Sequence, residues 1–214
     1  MFTPKPPLPP KVQRERLYDR VIFDSGKTSF DVFSSTPSGS ETEQNYDQIP
    51  LATNLNVVFL GLSFSLTHSV LVGDGTIDPQ KVINTLADGI IKITTDQKRT
   101  TELRHPLKDV LNLSNLGVSA FHDAANTTNE IAISVPATNM RSIDELFYVK
   151  DQESWGMSIE LNTANMPAQS DWPNAPLGVF GEVPIAKLSD KQLDDYIGKY
   201  EEVRGYGANY SPGT

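Results

Sequence analysis

With 214 residues, of which 38% are hydrophobic and 21% charged, the chain has room for one compact core and is short for two. The lack of any cysteine excludes disulfide staples, thiolate metal sites and cysteine nucleophiles. Its 27 acidic and 18 basic residues leave a net charge of −9, which disfavours a phosphate backbone as partner and suits a solvated, aggregation-resistant surface.

The N-terminus MFTPKPPLPPKVQRER lacks the apolar stretch of a signal peptide, and no segment reaches the roughly 18 apolar residues of a spanning helix. A soluble protein without a readable export address is expected. Pro4, Pro6, Pro7, Pro9 and Pro10, with Leu8 among them, favour an extended polyproline arm over residues 1–16. Such an arm suits a crossing over a neighbouring subunit, a disordered tail, or a ligand of a proline-binding module. The basic cluster Lys11, Arg14, Arg16 and Arg20 is interrupted by Glu15 and Asp19, a further reason to expect no direct nucleic acid contact.

Strand patterns fill a domain over residues 17–187. Tyr18 to Phe23 and Thr28 to Phe33 flank Asp24-Ser25-Gly26-Lys27, which predicts a hairpin, and Ser34 to Asn45 is loop-like. Val58 to Leu66 reads as one strand, with Val58, Leu60, Leu62, Phe64 and Leu66 facing one way. Asp78 as cap, Pro79 at the first position and Gly89 as stop predict a helix carrying Val82, Ile83 and Leu86. Strand signals resume at Ile90 to Thr95, Thr100 to Leu103, Val118 to Phe121, Glu130 to Val135 and Trp155 to Asn162. A last strand is expected at Leu177 to Ile185, with Pro184 marking its end or a sheet edge.

Ser189 and Gln192 form a capping box, and Leu188 with Leu193 a hydrophobic staple, for a helix over residues 188–203. Its stripe of Leu193, Tyr196, Ile197, Tyr200 and Val203 packs on its own domain or on an adjacent subunit. Residues 204–214, with Tyr206 and Tyr210, read as a flexible tail or a second arm. The total, eight or nine short strands with one inserted helix and one closing helix, predicts an all-β sandwich or barrel, with a single jelly roll preferred.

Sites for chemistry are scarce in this sequence. His68, His105 and His122 stand apart, so no metal or cofactor is expected. His122-Asp123 and Ser119 share residue types with a triad, but no nucleophile elbow accompanies them. Gly73 to Asp78 lacks the oxygen ligands of a calcium loop and reads as a turn into a capped helix. Asp31, Glu160 and Glu182 lie on strands at outward positions, where a hydrolase carboxylate pair is the alternative to solvated acids. Trp155 sits in an apolar register that favours the core, whereas Trp172 in a loop is the freer candidate for a sugar platform. The chain is therefore not expected to be an enzyme.

Segment order from Leu17 to Lys187 resembles the small single jelly-roll major capsid proteins of tailless, membrane-containing icosahedral phages and archaeal viruses. The resembling stretches are YDRVIFDSGKTSFDVFSSTPSG, QIPLATNLNVVFLGLSFSL, EIAISVPATNMRSIDELFYVKDQESWGMSIEL and LGVFGEVPI. The resemblance implies a capsid subunit of the virion shell, assembled in the host cytoplasm. Its implied partners are copies of itself, other capsid proteins and an internal viral membrane. Subunits of this kind stand upright on that membrane in capsomers of pseudo-sixfold outline, tied by arms and loops. Pro4 to Pro10, Tyr206 and Tyr210 are the candidate assembly arms, and a shell separated from the genome by lipid needs no basic lining. The Pro-rich arm and the C-terminal helix depart from the family pattern. A carbohydrate-binding or adhesion module of a phage fibre or cell surface is the alternative.

Overall fold

A computed structural model describes residues 5–24, 26–33, 55–68, 70–72, 77–95, 103–122, 129–135, 146–171 and 176–208. In chain order the strands and helices are β1 (Gln13–Ile22), β2 (Ser29–Val32), β3 (Asn56–Phe59), β4 (Ser63–Leu66), β5 (Val70–Val72), α1 (Pro79–Ala87), β6 (Ile90–Thr95), β7 (Leu103–Pro106), α2 (Leu107–Val110), β8 (Gly117–His122), β9 (Asn129–Ser134), β10 (Tyr148–Val149), β11 (Trp155–Glu160), β12 (Gly178–Leu188) and α3 (Asp190–Ala208). The chain is all-β in character, with every described strand pairing antiparallel.

The first sheet has the order β1-β12-β3-β10, with β4 also on β12. The second has the order β2-β11-β6-β7, and a small third sheet the order β5-β9-β8. In the first two sheets the pairings nest: β1 with β12, β2 with β11, β3 with β10, and β6 with β7. Early strands thus find late partners, and only the innermost pair is close in sequence.

Alternation along the strands supplies the interior. Trp155, Met157 and Ile159 of β11 are buried while Gly156, Ser158 and Glu160 are partly exposed. Trp155 meets Phe59 edge-on at 4.8 Å and Phe33 at 5.5 Å, which joins the two sheets through aromatic contact. The space between the sheets is filled by these rings together with Val32, Phe64, Ile91 and Ile93.

Five expectations change at this level. Tyr18 to Phe33 is no hairpin, because β1 pairs with β12 and β2 with β11 in different sheets. The Asp24 to Lys27 turn does form, with the Lys27 amide donating to the Asp24 carbonyl and Gly26 at a φ of 85°. It carries the chain across the core, where Phe23 and Phe30 pack edge-on at 5.1 Å.

Val58 to Leu66 is two strands rather than one. Ile185 faces Phe59 and Glu182 faces Ser63, so β12 advances three residues where the opposite chain advances four. The extra residue is a bulge at Leu60-Gly61, and it switches the inward set from Val57 and Phe59 to Leu62 and Phe64. Pro184 accordingly sits inside a central strand, opposite Arg16, and not at an end or edge. Its carbonyl accepts the Leu60 amide, so the donor it lacks would have pointed at the bulge, where the ladder is already broken.

The first strand begins at Gln13, so the Pro-rich segment ends at Val12 and not at residue 16, after a turn at Pro10 and Lys11 where Lys11 has a φ of 61°. At the other terminus α3 continues to Ala208, five residues past the expected stop at Val203. Strands β5 and β10 and the short helix α2 were not anticipated from sequence.

Helix starts follow the expected chemistry. Asp78 accepts the Gln80 and Lys81 amides at 3.0 and 3.3 Å, with Pro79 in the first turn. The capping box closes reciprocally: the Ser189 amide donates to Gln192 Oε1 at 3.0 Å and the Gln192 amide to Ser189 Oγ at 3.4 Å. From there α3 folds back on the outer face of the first sheet. Leu193 and Tyr196 join Val58, Ala186 and Leu188 in a second apolar cluster, separate from the main core. Each such large side chain contributes about 1.5–3 kcal/mol on burial.

Candidate functional site

Chemistry-bearing residues are dispersed by this fold. Asp31 and Glu160 share the outer face of the second sheet, while Glu182 lies on the outer face of the first. Glu160 is paired with Lys92, and Glu182 lies 3.6 Å from Arg16. Trp155 is a core residue, 2% exposed, and Asp78 caps α1. His68 follows β4, His105 lies on β7 and His122 ends β8, on three different strands or their flanks. Among the described residues no group of three or more His, Cys, Asp or Glu is placed to hold a metal. Trp172, Asp123 and Gly73 to Thr76 lie outside the described residues.

A surface cleft of about 230 Å³ lies between α1 and the end of β11, lined by Lys81, Asn84, Thr85, Asp88 and Asn162. Of these, Lys81, Asn84, Asp88 and Asn162 are exposed and Thr85 is buried.

The candidate arms are more informative. Pro6 is buried and Leu8 packs into the second apolar cluster beside Tyr196 and Ile197. Pro7 and Pro10 are exposed and Pro9 is partly buried. Part of the N-terminal segment is therefore docked on its own chain, sharing a cluster with α3. Pro4 and Tyr210 lie outside the described residues, and Tyr206 falls within α3.

Buried polar groups fasten α3 to the sheet beneath it. Asn56, 1% exposed, donates from Nδ2 to the Leu188 carbonyl at 3.3 Å and to Asp190 Oδ1 at 2.8 Å. Its Oδ1 accepts the Asp151 amide at 3.0 Å, so one side chain ties β3, β12, the turn before β11 and the first turn of α3. Burial raises the Tyr196 phenol above its ordinary range, with the Tyr200 hydroxyl adding to the shift.

Outer surfaces also carry order that the linear sequence hides. On β1, Leu17 and Asp19 face the interior, so Arg14, Arg16, Tyr18 and Arg20 face outward. Tyr18 stacks on Phe180 of β12 with centroids 5.5 Å apart. Glu15 and Asp19, which interrupt the basic cluster in sequence, are thus turned away from the face that Arg14, Arg16 and Arg20 share, where Glu182 of β12 is paired with Arg16.

Among the described residues no helix is long and apolar enough to cross a membrane. Comparison with family models, with curated proteins and with solved structures returns no match.

Proposed function

We propose that this chain is a single jelly-roll capsid subunit that self-assembles into the icosahedral shell of a virus or phage. The observation that carries the reading is the nested pairing of β1 with β12, β2 with β11, β3 with β10 and β6 with β7. A long antiparallel hairpin rolled into two facing four-strand layers pairs its strands in this nested way. The third sheet and the helices are additions to that scheme.

A fold alone does not define a function, so the surfaces must carry the rest. Jelly rolls that bind a ligand or metal inside need polar groups and room there, whereas this interior is packed with Phe59, Phe64, Ile91, Ile93 and Trp155. The work then falls to the outside, where a docked N-terminal segment, the arginine-bearing outer side of β1 and a long closing helix lie together on the first sheet. Its partners in this reading are copies of itself, companion capsid proteins and an internal viral membrane, with no direct nucleic acid. It acts in the virion shell after assembly in the host cytoplasm, without cofactor or catalysis.

The test is sedimentation of the full chain against a truncation lacking residues 1–10, which spares β1. Defined oligomers that weaken on truncation support the reading. A monomer at all concentrations that instead binds a glycan array overturns it in favour of an adhesion module.

A further inference from the structure

Strand β1 sorts its charges by face: Arg14, Arg16 and Arg20 lie outward, and Glu15 and Asp19 lie on the opposite side. Arg14 and Arg16 are exposed and Arg20 partly buried, and Tyr18, between Arg16 and Arg20 on the strand, stacks on Phe180, which lies opposite Arg20. Glu182 is the carboxylate that β12 contributes here, 3.6 Å from Arg16, so among the described residues of β1 and β12 this face carries three cations and one anion, on an acidic protein. Helix α3 packs on the same sheet face over Val58, Ala186 and Leu188, toward the end of β12 that is far from Phe180.

We propose that this arginine–aromatic face is a contact between copies of the chain, and that its occupant is the solvent-facing side of α3 from a neighbouring copy. The inference rests on the self-assembly reading above and names the surfaces that would perform it. At 3.6 residues per turn, residues seven apart fall in one row along a helix. Asp194 and Glu201 form one exposed row, Asp195 and Glu202 another, and Gly198 and Gly205 lie between them in line with Lys191. The remaining cations, Lys199 and Arg204, lie toward the flanks. Charge complementarity matches this acidic face to the basic sheet face, and paired charges of this kind set partner and register.

The glycines point the same way. A Cβ at Gly198 or Gly205 would meet nothing within 4 Å, so packing inside the chain does not require glycine at either position. Glycine is unfavourable within a helix, yet these two stand on its exposed face. Between two acidic rims they form a low floor on which large side chains such as Tyr18 and Phe180 can approach the helix backbone. Since the two surfaces differ, the contact is head-to-tail and closes into rings when the rotation between copies permits.

The experiment uses the full chain, with folding verified by circular dichroism and assembly read by light scattering over a range of salt. The doubly reversed variants Glu201→Arg/Glu202→Arg and Arg14→Glu/Arg16→Glu should each raise the concentration needed for assembly at least about tenfold. An equimolar mixture of the two should restore assembly, because each altered face then meets an opposite charge. Gly198→Leu should weaken assembly while leaving the thermal midpoint unchanged or higher, a combination that a purely intrachain role does not produce. If wild type assembles and all of these variants assemble equally well, the contact is wrong and the self-assembly reading stands. A wild type that never assembles overturns both. An oligonucleotide bound by wild type and lost in Arg14→Glu/Arg16→Glu, with assembly unchanged, would reassign the face to nucleic acid and overturn the contact.

Discussion

Asp19 on β1 and Phe33 at the end of β2 are joined across the two sheets: the buried carboxylate accepts the Phe33 amide at 2.6 Å. Phe33 has a φ of 56°, a left-handed conformation that costs a non-glycine residue about 1–2 kcal/mol. The other carboxylate oxygen of Asp19 accepts the Arg20 amide at 2.8 Å. Asp19 therefore holds a strained residue in the position from which its ring reaches Trp155.

Replacing Asp19 by Ala should lower stability by about 1–3 kcal/mol, the cost of leaving a buried amide without its acceptor. Asp19→Asn should also destabilise, because one of its two terminal groups would become a donor facing a backbone donor. Urea unfolding under dilute, unassembled conditions measures both. A change below about 0.5 kcal/mol for the Ala variant would show that the contact does not hold Phe33.

Gly178 opens β12 against a close neighbour: a Cβ there would lie 2.1 Å from the Val21 carbonyl oxygen. Since backbone cannot rotate aside as a side chain does, Gly178→Ala should cost about 1–3 kcal/mol or more. The control is Gly156→Ala on β11, where the nearest atom is Thr94 Oγ1 at 3.9 Å, an ordinary contact. Thermal unfolding should separate the two variants clearly, and equal midpoints would contradict the close approach.

Much of the local structure was legible from the chain because one face of each element is buried. Ile90–Thr95 was read to its end residues, Trp155 to Asn162 ran two residues past the observed end at Glu160, and Ser189 with Gln192 announced the start of α3. Reading failed where both faces are covered: Val57, Val58 and Phe59 are all buried, since α3 lies over the outer side, so alternation could not reveal the bulge. Pro184 misled for a related reason, its ladder defect being matched by another defect on a strand far away in sequence. The basic face was hidden because Gln13 to Arg16 read as part of an arm. Without a strand there, Arg14 and Arg16 had no face to share with Arg20.

Tyr196 couples the second cluster to pH. Its phenol is buried and its pKa raised, so the native state keeps a proton that the unfolded chain releases near pH 10. Its contribution to stability is complete below that pH and is lost as pH rises through the higher native value. Titrating stability from pH 8 to 11 should show an alkaline fall that Tyr196→Phe reduces. The same fall in wild type and variant would mean that the phenol is not desolvated as the structure has it.

The central proposal is that this antiparallel all-β chain builds a shell from copies of itself. Negative-stain electron microscopy of the purified chain, alone and with lipid vesicles, tests it most directly. The account predicts ring-shaped capsomers or closed shells of uniform size. Isolated monomers under every one of these conditions would contradict it.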